Sequence, residues 1–126
     1  MEKTNFEKLD VYKLSEKLSD IIWTIVLSWS PFAKATIRLQ LVKAADSIGA
    51  NIAEGTGKGS SLDNKRFAKI ARGSLFETKH WLRRSVKRNL LKKDEIDKLK
   101  NIIDELSPRL SAYINSIKNN QHTTNY

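Results

Sequence analysis

A chain of 126 residues, 40% of them hydrophobic and with a formal net charge of +9, is long enough to bury one continuous core, so a single domain is the default. It contains no cysteine, which excludes disulfides and thiolate metal sites and fits a reducing compartment, the cytoplasm. Its two histidines, His80 and His122, have no metal-ligand spacing, and no metal or other cofactor is expected.

Five glycines and two prolines punctuate the chain rather than pervade it, which favours long helices over many short strands. The opening MEKTNFEKLD is charged and lacks the apolar stretch and cleavage site of a secretory leader. A first helix is predicted over about residues 10–28, where Leu14, Leu18, Ile21 and Ile25 recur four, three and four apart. Its apolar run IIWTIVLSW is far shorter than the roughly 20 residues a bilayer requires, and reads as half of a core helix. The second helix opens at Ser30 and Pro31, a capping hydroxyl followed by a residue whose missing amide would be unpaired there anyway. It carries Ile37, Leu41, Ala44 or Ala45, Ile48 and Ile52 on one side, and stops at the loop GTGKG, residues 55–59.

Ser60 and Asp63 resemble a capping box and open a third helix that reaches about residue 89. Its expected core positions are Phe67, Ile70, Ala71, Ser74, Leu75, Thr78, Trp81 and Leu82. Gly73, in its middle, costs about 1 kcal/mol relative to alanine, which a close helix approach would offset. The fourth helix, about residues 94–117, places Ile96, Leu99, Ile103, Leu106, Leu110, Tyr113 and Ile117 alternately three and four apart. Pro108 is expected to kink it. Short connections force neighbours to run antiparallel, so the predicted fold is all-α, an up-down-up-down four-helix bundle over residues 1–118. Residues 119–126 form a polar tail that is expected to be disordered.

The charge is localised. Between Lys58 and Lys93 twelve Lys or Arg face two carboxylates, Asp63 and Glu77, while the rest of the chain nearly balances. At 100° per residue, Lys65, Lys69, Arg72, Lys79, Arg83 and Lys87 fall on one line of the third helix, with Phe76 inside it. Arg66, Arg84 and Arg88 flank the line, and Lys58, Lys92 and Lys93 extend it. A row of cations is by default a solvated face, but like charges three and four apart repel by a few tenths of a kcal/mol per pair. Six in line therefore point to a polyanion, whose binding releases counterions. Phe76 fits either a subunit contact or stacking on an unpaired base.

Ser47, Asn51 and Glu54 form a polar line on the second helix, and Ser74 and Glu77 a similar one on the third. Catalysis would make Glu54 and Glu77 an acid and base pair, yet no nucleophile, metal set or phosphate loop accompanies them. The reading adopted is non-enzymatic: an inter-helix hydrogen-bond network with a basic partner such as Arg66 or Lys69.

The stretch SIGANIAEG (47–55), then Arg66-Phe67 and ARGSLFE (71–77), together with FEKLDVY (6–12) and QLVKAA (40–45), resembles the 23S rRNA intervening-sequence proteins. The similarity runs from about residue 6 to 118. A departure is Lys58, where arginine is the family's expected residue; charge is kept but bidentate phosphate pairing is not. The resemblance implies a four-helix bundle assembling as a homopentameric ring, akin to the accessory variability protein of diversity-generating retroelements, a basic pentamer that binds nucleic acid and a reverse transcriptase. The expected function is thus non-enzymatic binding of nucleic acid, RNA before DNA, without strong sequence specificity, by Lys65, Lys69, Arg72, Phe76, Lys79, Arg83, Arg84, Lys87 and Arg88. The alternative is a scaffold whose basic face docks an acidic partner protein.

Overall fold

The computed structural model describes residues 6–118, and the regular structure among them is entirely helical. A 3-10 turn, Phe6–Lys8, precedes α1 (Asp10–Val26), α2 (Pro31–Ala35), α3 (Ile37–Thr56), α4 (Ser61–Lys87) and α5 (Lys93–Ser116). The predicted polar tail, 119–126, lies outside the described residues.

The second predicted helix is in fact two. At Thr36 the backbone leaves helical geometry, with φ −119° and ψ −94°. Side chains take up carbonyls that the break frees: Thr36 Oγ1 donates to Phe32 O at 2.8 Å, and Arg38 Nε to Lys34 O at 2.9 Å. Backbone acceptors are thereby satisfied without a continuous helix. The expected starts are present: Ser30 Oγ accepts from the Ala33 amide at 3.3 Å, and Ser60 Oγ from that of Asp63 at 3.1 Å.

The α4–α5 connection is set by Asn89, whose φ of 58° lies in the left-handed region. Its amide donates to Val86 O, and that of Leu90 to Ser85 O, at 3.1 and 3.0 Å, the bond pair that closes many helices at a glycine. Asparagine tolerates this conformation better than other residues with a Cβ. The Lys92 amide then donates to Glu95 Oε1 at 2.9 Å and starts α5. Pro108 does not end α5, which continues to Ser116. The proline and Asp104, whose carbonyl it deprives of a donor, are both exposed, where water can serve that carbonyl.

Each long helix packs on two others: α1 on α3 and α5, and α4 on α3 and α5. Leu18, Ile22, Leu41, Ile48, Leu75, Leu106 and Leu110 are sealed between them, each contributing about 1.5–3 kcal/mol by leaving water. The α3 seam is the predicted one. On α4 the buried line is Ala68, Ala71, Leu75, Thr78, Leu82 and Ser85, whereas Ile70, expected inside, is exposed. On α5 it is Leu99, Ile102, Leu106, Leu110 and Ile114, with Ile96, Ile103, Tyr113 and Ile117 half-buried at its margins. The buried hydroxyls of Ser15, Thr78 and Ser85 donate to the carbonyls four residues earlier at 2.6–2.8 Å, so none is orphaned. None of the described helices is long and apolar enough to cross a membrane.

Small residues set the approach of α3 to α4. Gly55 is buried, and a Cβ there would meet Asn64 Oδ1 at 2.7 Å, Phe67 Cβ at 3.0 Å and Asn64 O at 3.1 Å. Gly73, expected to serve that purpose, has nothing within 4 Å of such an atom.

Candidate nucleic-acid interface

With 27 residues, α4 is the longest of the described helices and carries the cationic line at full length. Lys69, Arg83 and Lys87 are exposed; Lys65, Arg72 and Lys79 are half-buried where the line meets the core margin. Their alkyl stems cover apolar surface while the charged ends reach water. Lys79 Nζ donates to Ser107 Oγ of α5 at 3.0 Å, which places the line on the α5 side of α4 rather than opposite the core. Phe76 is 57% exposed, with Lys79 Nζ 5.3 Å from its ring centre, a cation–π contact inside the line.

Charge pairing divides the basic residues into two groups. Lys58 meets Glu54 at 3.3 Å, Arg66 meets Asp63 at 3.5 Å, and Lys93 meets Asp97 at 2.8 Å. Lys58 and Lys93, expected to extend the line, are thus neutralised by carboxylates of their own segments. Lys65, Lys69, Arg72, Arg83, Arg84, Lys87 and Arg88 have no carboxylate within 4.0 Å among the described residues. Their charge is uncompensated.

The six residues expected to form an inter-helix polar network do not do so. Ser47 Oγ donates to Lys43 O at 2.7 Å, and Asn51 Nδ2 to Ser47 O at 2.8 Å. Glu54 and Arg66 hold the local partners named above. Ser74 offers its backbone carbonyl to Thr78, and Glu77 Oε2 accepts from Trp81 Nε1 at 3.4 Å, a long bond. Bonds to the preceding or following turn are the nearest available partners, and these short polar side chains take them first. Arg66 also lies over the Phe67 ring at 4.5 Å, with Lys58 at 5.4 Å from the same centre.

His80 stacks edge-on against Trp81 at 4.8 Å, while His122 lies outside the described residues. Among the described residues no three His, Asp or Glu side chains gather as a metal site would require. Sequence reasoning missed a groove beside the line, between α4 and α5 near the turn that joins them, lined by Val86, Leu91 and Ile96 among others. Trp23, Leu27, Phe32 and Leu39 are also exposed apolar side chains. For Trp23 and Leu27 the signal was the run IIWTIVLSW, which has too many apolar residues for one buried face.

The fold is shared with a crystal structure of a protein of unknown function from the S23 ribosomal protein family of Bacteroides thetaiotaomicron. The two are 21% identical with a TM-score of 0.74, over 84% of this chain and 99% of that one. No curated protein matches the sequence. Residues 7–112, which take in α1 to α4 and most of α5, match the model of the 23S rRNA-intervening sequence proteins. The chain belongs to that family.

Proposed function

We propose that this protein is a non-enzymatic, cytoplasmic RNA-binding protein whose contact surface is the cationic line of α4. The observation that carries this reading is the set of seven cations, Lys65 to Arg88, that no carboxylate among the described residues neutralises. Folding alone does not require their mutual repulsion, and phosphates relieve it. Phe76 offers an exposed aromatic face for an unpaired base, which favours single-stranded over duplex targets. Glu54 and Glu77, the pair that acid and base chemistry would need, are engaged apart from each other, Glu54 by Lys58 in the loop after α3 and Glu77 by Trp81 of α4.

In the same reading the four long helices run up-down-up-down and antiparallel, and five copies close a ring. Trp23, Leu27 and Leu39, each 55% exposed, and Phe32, 78% exposed, supply apolar surface for subunit contacts. Gly73 is open within one chain, so its helix-weakening effect finds its compensation against a neighbour. A ring multiplies the cationic line and turns weak single contacts into avid ones.

Filter binding of single-stranded RNA across a salt series tests the function. If each site neutralises about four phosphates, affinity falls about fifty-fold between roughly 50 and 200 mM salt. Lys65→Glu with Lys69→Glu weakens retention while leaving the helical signal intact. Absence of RNA retention at about 50 mM salt would refute the reading, because the phosphate contribution is strongest there.

A further inference from the structure

Beside the cationic line, α4 and α5 leave a groove of about 570 Å³ that phosphate binding does not explain. Its floor is apolar: Leu82 and Val86 from α4, Leu91 from the turn, and Ile96, Leu99 and Ile103 from α5. Lys79, Arg83 and Lys87 stand on the α4 lip, and Lys100 and Asp104 on the α5 lip. Asp104 is already bound by Lys100 at 2.6 Å, and Lys79 reaches across to Ser107 at 3.0 Å. The Ser107 hydroxyl carries no charge, so the unmatched charge on the lips is that of Lys79, Arg83 and Lys87, and it is positive.

We propose that this groove docks an amphipathic helix from an acidic partner protein. Successive cations at 79, 83 and 87 lie about 6 Å apart along the axis, the rise of four helical residues, so carboxylates at the same spacing on a second helix align with them. The floor accepts the apolar anchors that a helix projects at i, i+3 or i+4, and i+7, the helix-in-groove mode. Other anionic ligands use only part of the site. A single-headed acyl anion leaves lip cations unmatched, and a bare phosphodiester backbone leaves the apolar floor uncovered. Only a ligand with an apolar face and several carboxylates in register satisfies both. The groove shares Lys79, Arg83 and Lys87 with the cationic line, so RNA and the partner helix compete for it.

The probe is a fluorescein-labelled synthetic peptide of about four helical turns, with leucines at the anchor spacing and glutamates on the flanking positions. Fluorescence anisotropy with the full chain should show saturable binding, weakened at least about tenfold by either Arg83→Glu or Val86→Gln. Both positions are exposed, and a retained helical circular dichroism signal shows that each variant folds. Peptides with the leucines changed to serine, or the glutamates to lysine, should bind at least about tenfold more weakly. Methyl resonances of Val86, Ile96 and Ile103 should shift on titration. No binding at about 100 μM peptide, equal binding of the serine peptide, or shifts confined to residues outside the groove each overturns the proposal. RNA retention distinguishes this failure from failure of the RNA reading. Val86→Gln keeps the charge and leaves RNA binding in place, whereas Lys65→Glu with Lys69→Glu weakens RNA binding and spares the peptide.

Discussion

Gly55→Ala tests whether the α3–α4 contact is set by the missing side chain. Within a helix the change should gain about 1 kcal/mol, because alanine has the higher propensity. Here the new methyl would stand 3.0 Å from Phe67 Cβ and 3.1 Å from the Asn64 carbonyl oxygen, neither of which can turn aside. Asn64 Oδ1, at 2.7 Å, can rotate, but only by abandoning its 3.5 Å contact with the Tyr113 hydroxyl. The two helices must therefore separate by a few tenths of an ångström, and overpacking of this kind costs about 1–3 kcal/mol. Set against the propensity gain, the middle of that range leaves a net loss of about 1 kcal/mol, and its upper end about 2 kcal/mol. Urea denaturation should show it as a lower midpoint at unchanged slope. Gly73→Ala, with open space around it, is the control and should gain about 0.5–1 kcal/mol in the monomer. Wild-type or higher stability of Gly55→Ala would refute the close-packing argument.

Pro108→Ala restores a helical donor at an exposed position of α5 and should raise stability by about 1–3 kcal/mol in thermal melts; an unchanged midpoint would mean that the proline carries no strain. Burial, followed by the Glu16 charge and its hydrogen bond, raises the Tyr12 pKa, so the neutral phenol is favoured in the folded state. Its stabilising effect is complete below pH about 10 and is lost as pH rises through the raised value. Tyr12→Phe should remove a component of the ultraviolet phenolate titration that lies above the ordinary tyrosine value, and its stability relative to wild type should improve only above that pH. Leu27→Glu should cost the monomer less than about 0.5 kcal/mol, since the side chain is 55% exposed, yet it should lower the mass seen by light scattering. A wild-type mass of 14.4 kDa, that of one chain, would overturn the ring.

The α3 seam was legible because Ile37, Leu41, Ile48 and Ile52 are both strongly apolar and strictly periodic. The α4 seam was less so, because apolarity ranks Ile70 above Ala68, yet it is the smaller residue that lies buried on the seam. The break at Thr36 was hidden by a pattern that runs across it: Ala33 and Ile37 are four apart and both buried, as in an unbroken helix. What accommodates the break is side-chain bonding to the freed carbonyls, to which periodicity is blind. The cationic line needed only the 100° rotation per residue. The groove needed α5 to be placed beside α4, and no single-helix pattern contains that information.

The break at Thr36 also separates two design variables that a continuous helix would tie together. By length α1 spans about 26 Å and α4 about 40 Å, and the five residues of α2 occupy the connection between α1 and α3. Because Thr36 and Arg38 satisfy the freed carbonyls locally, the direction of α2 is not tied to the axis of α3. Ala33 can thus enter the core and Phe32 face outward, beside Arg88 at the end of α4, without dictating how α3 seats on α4.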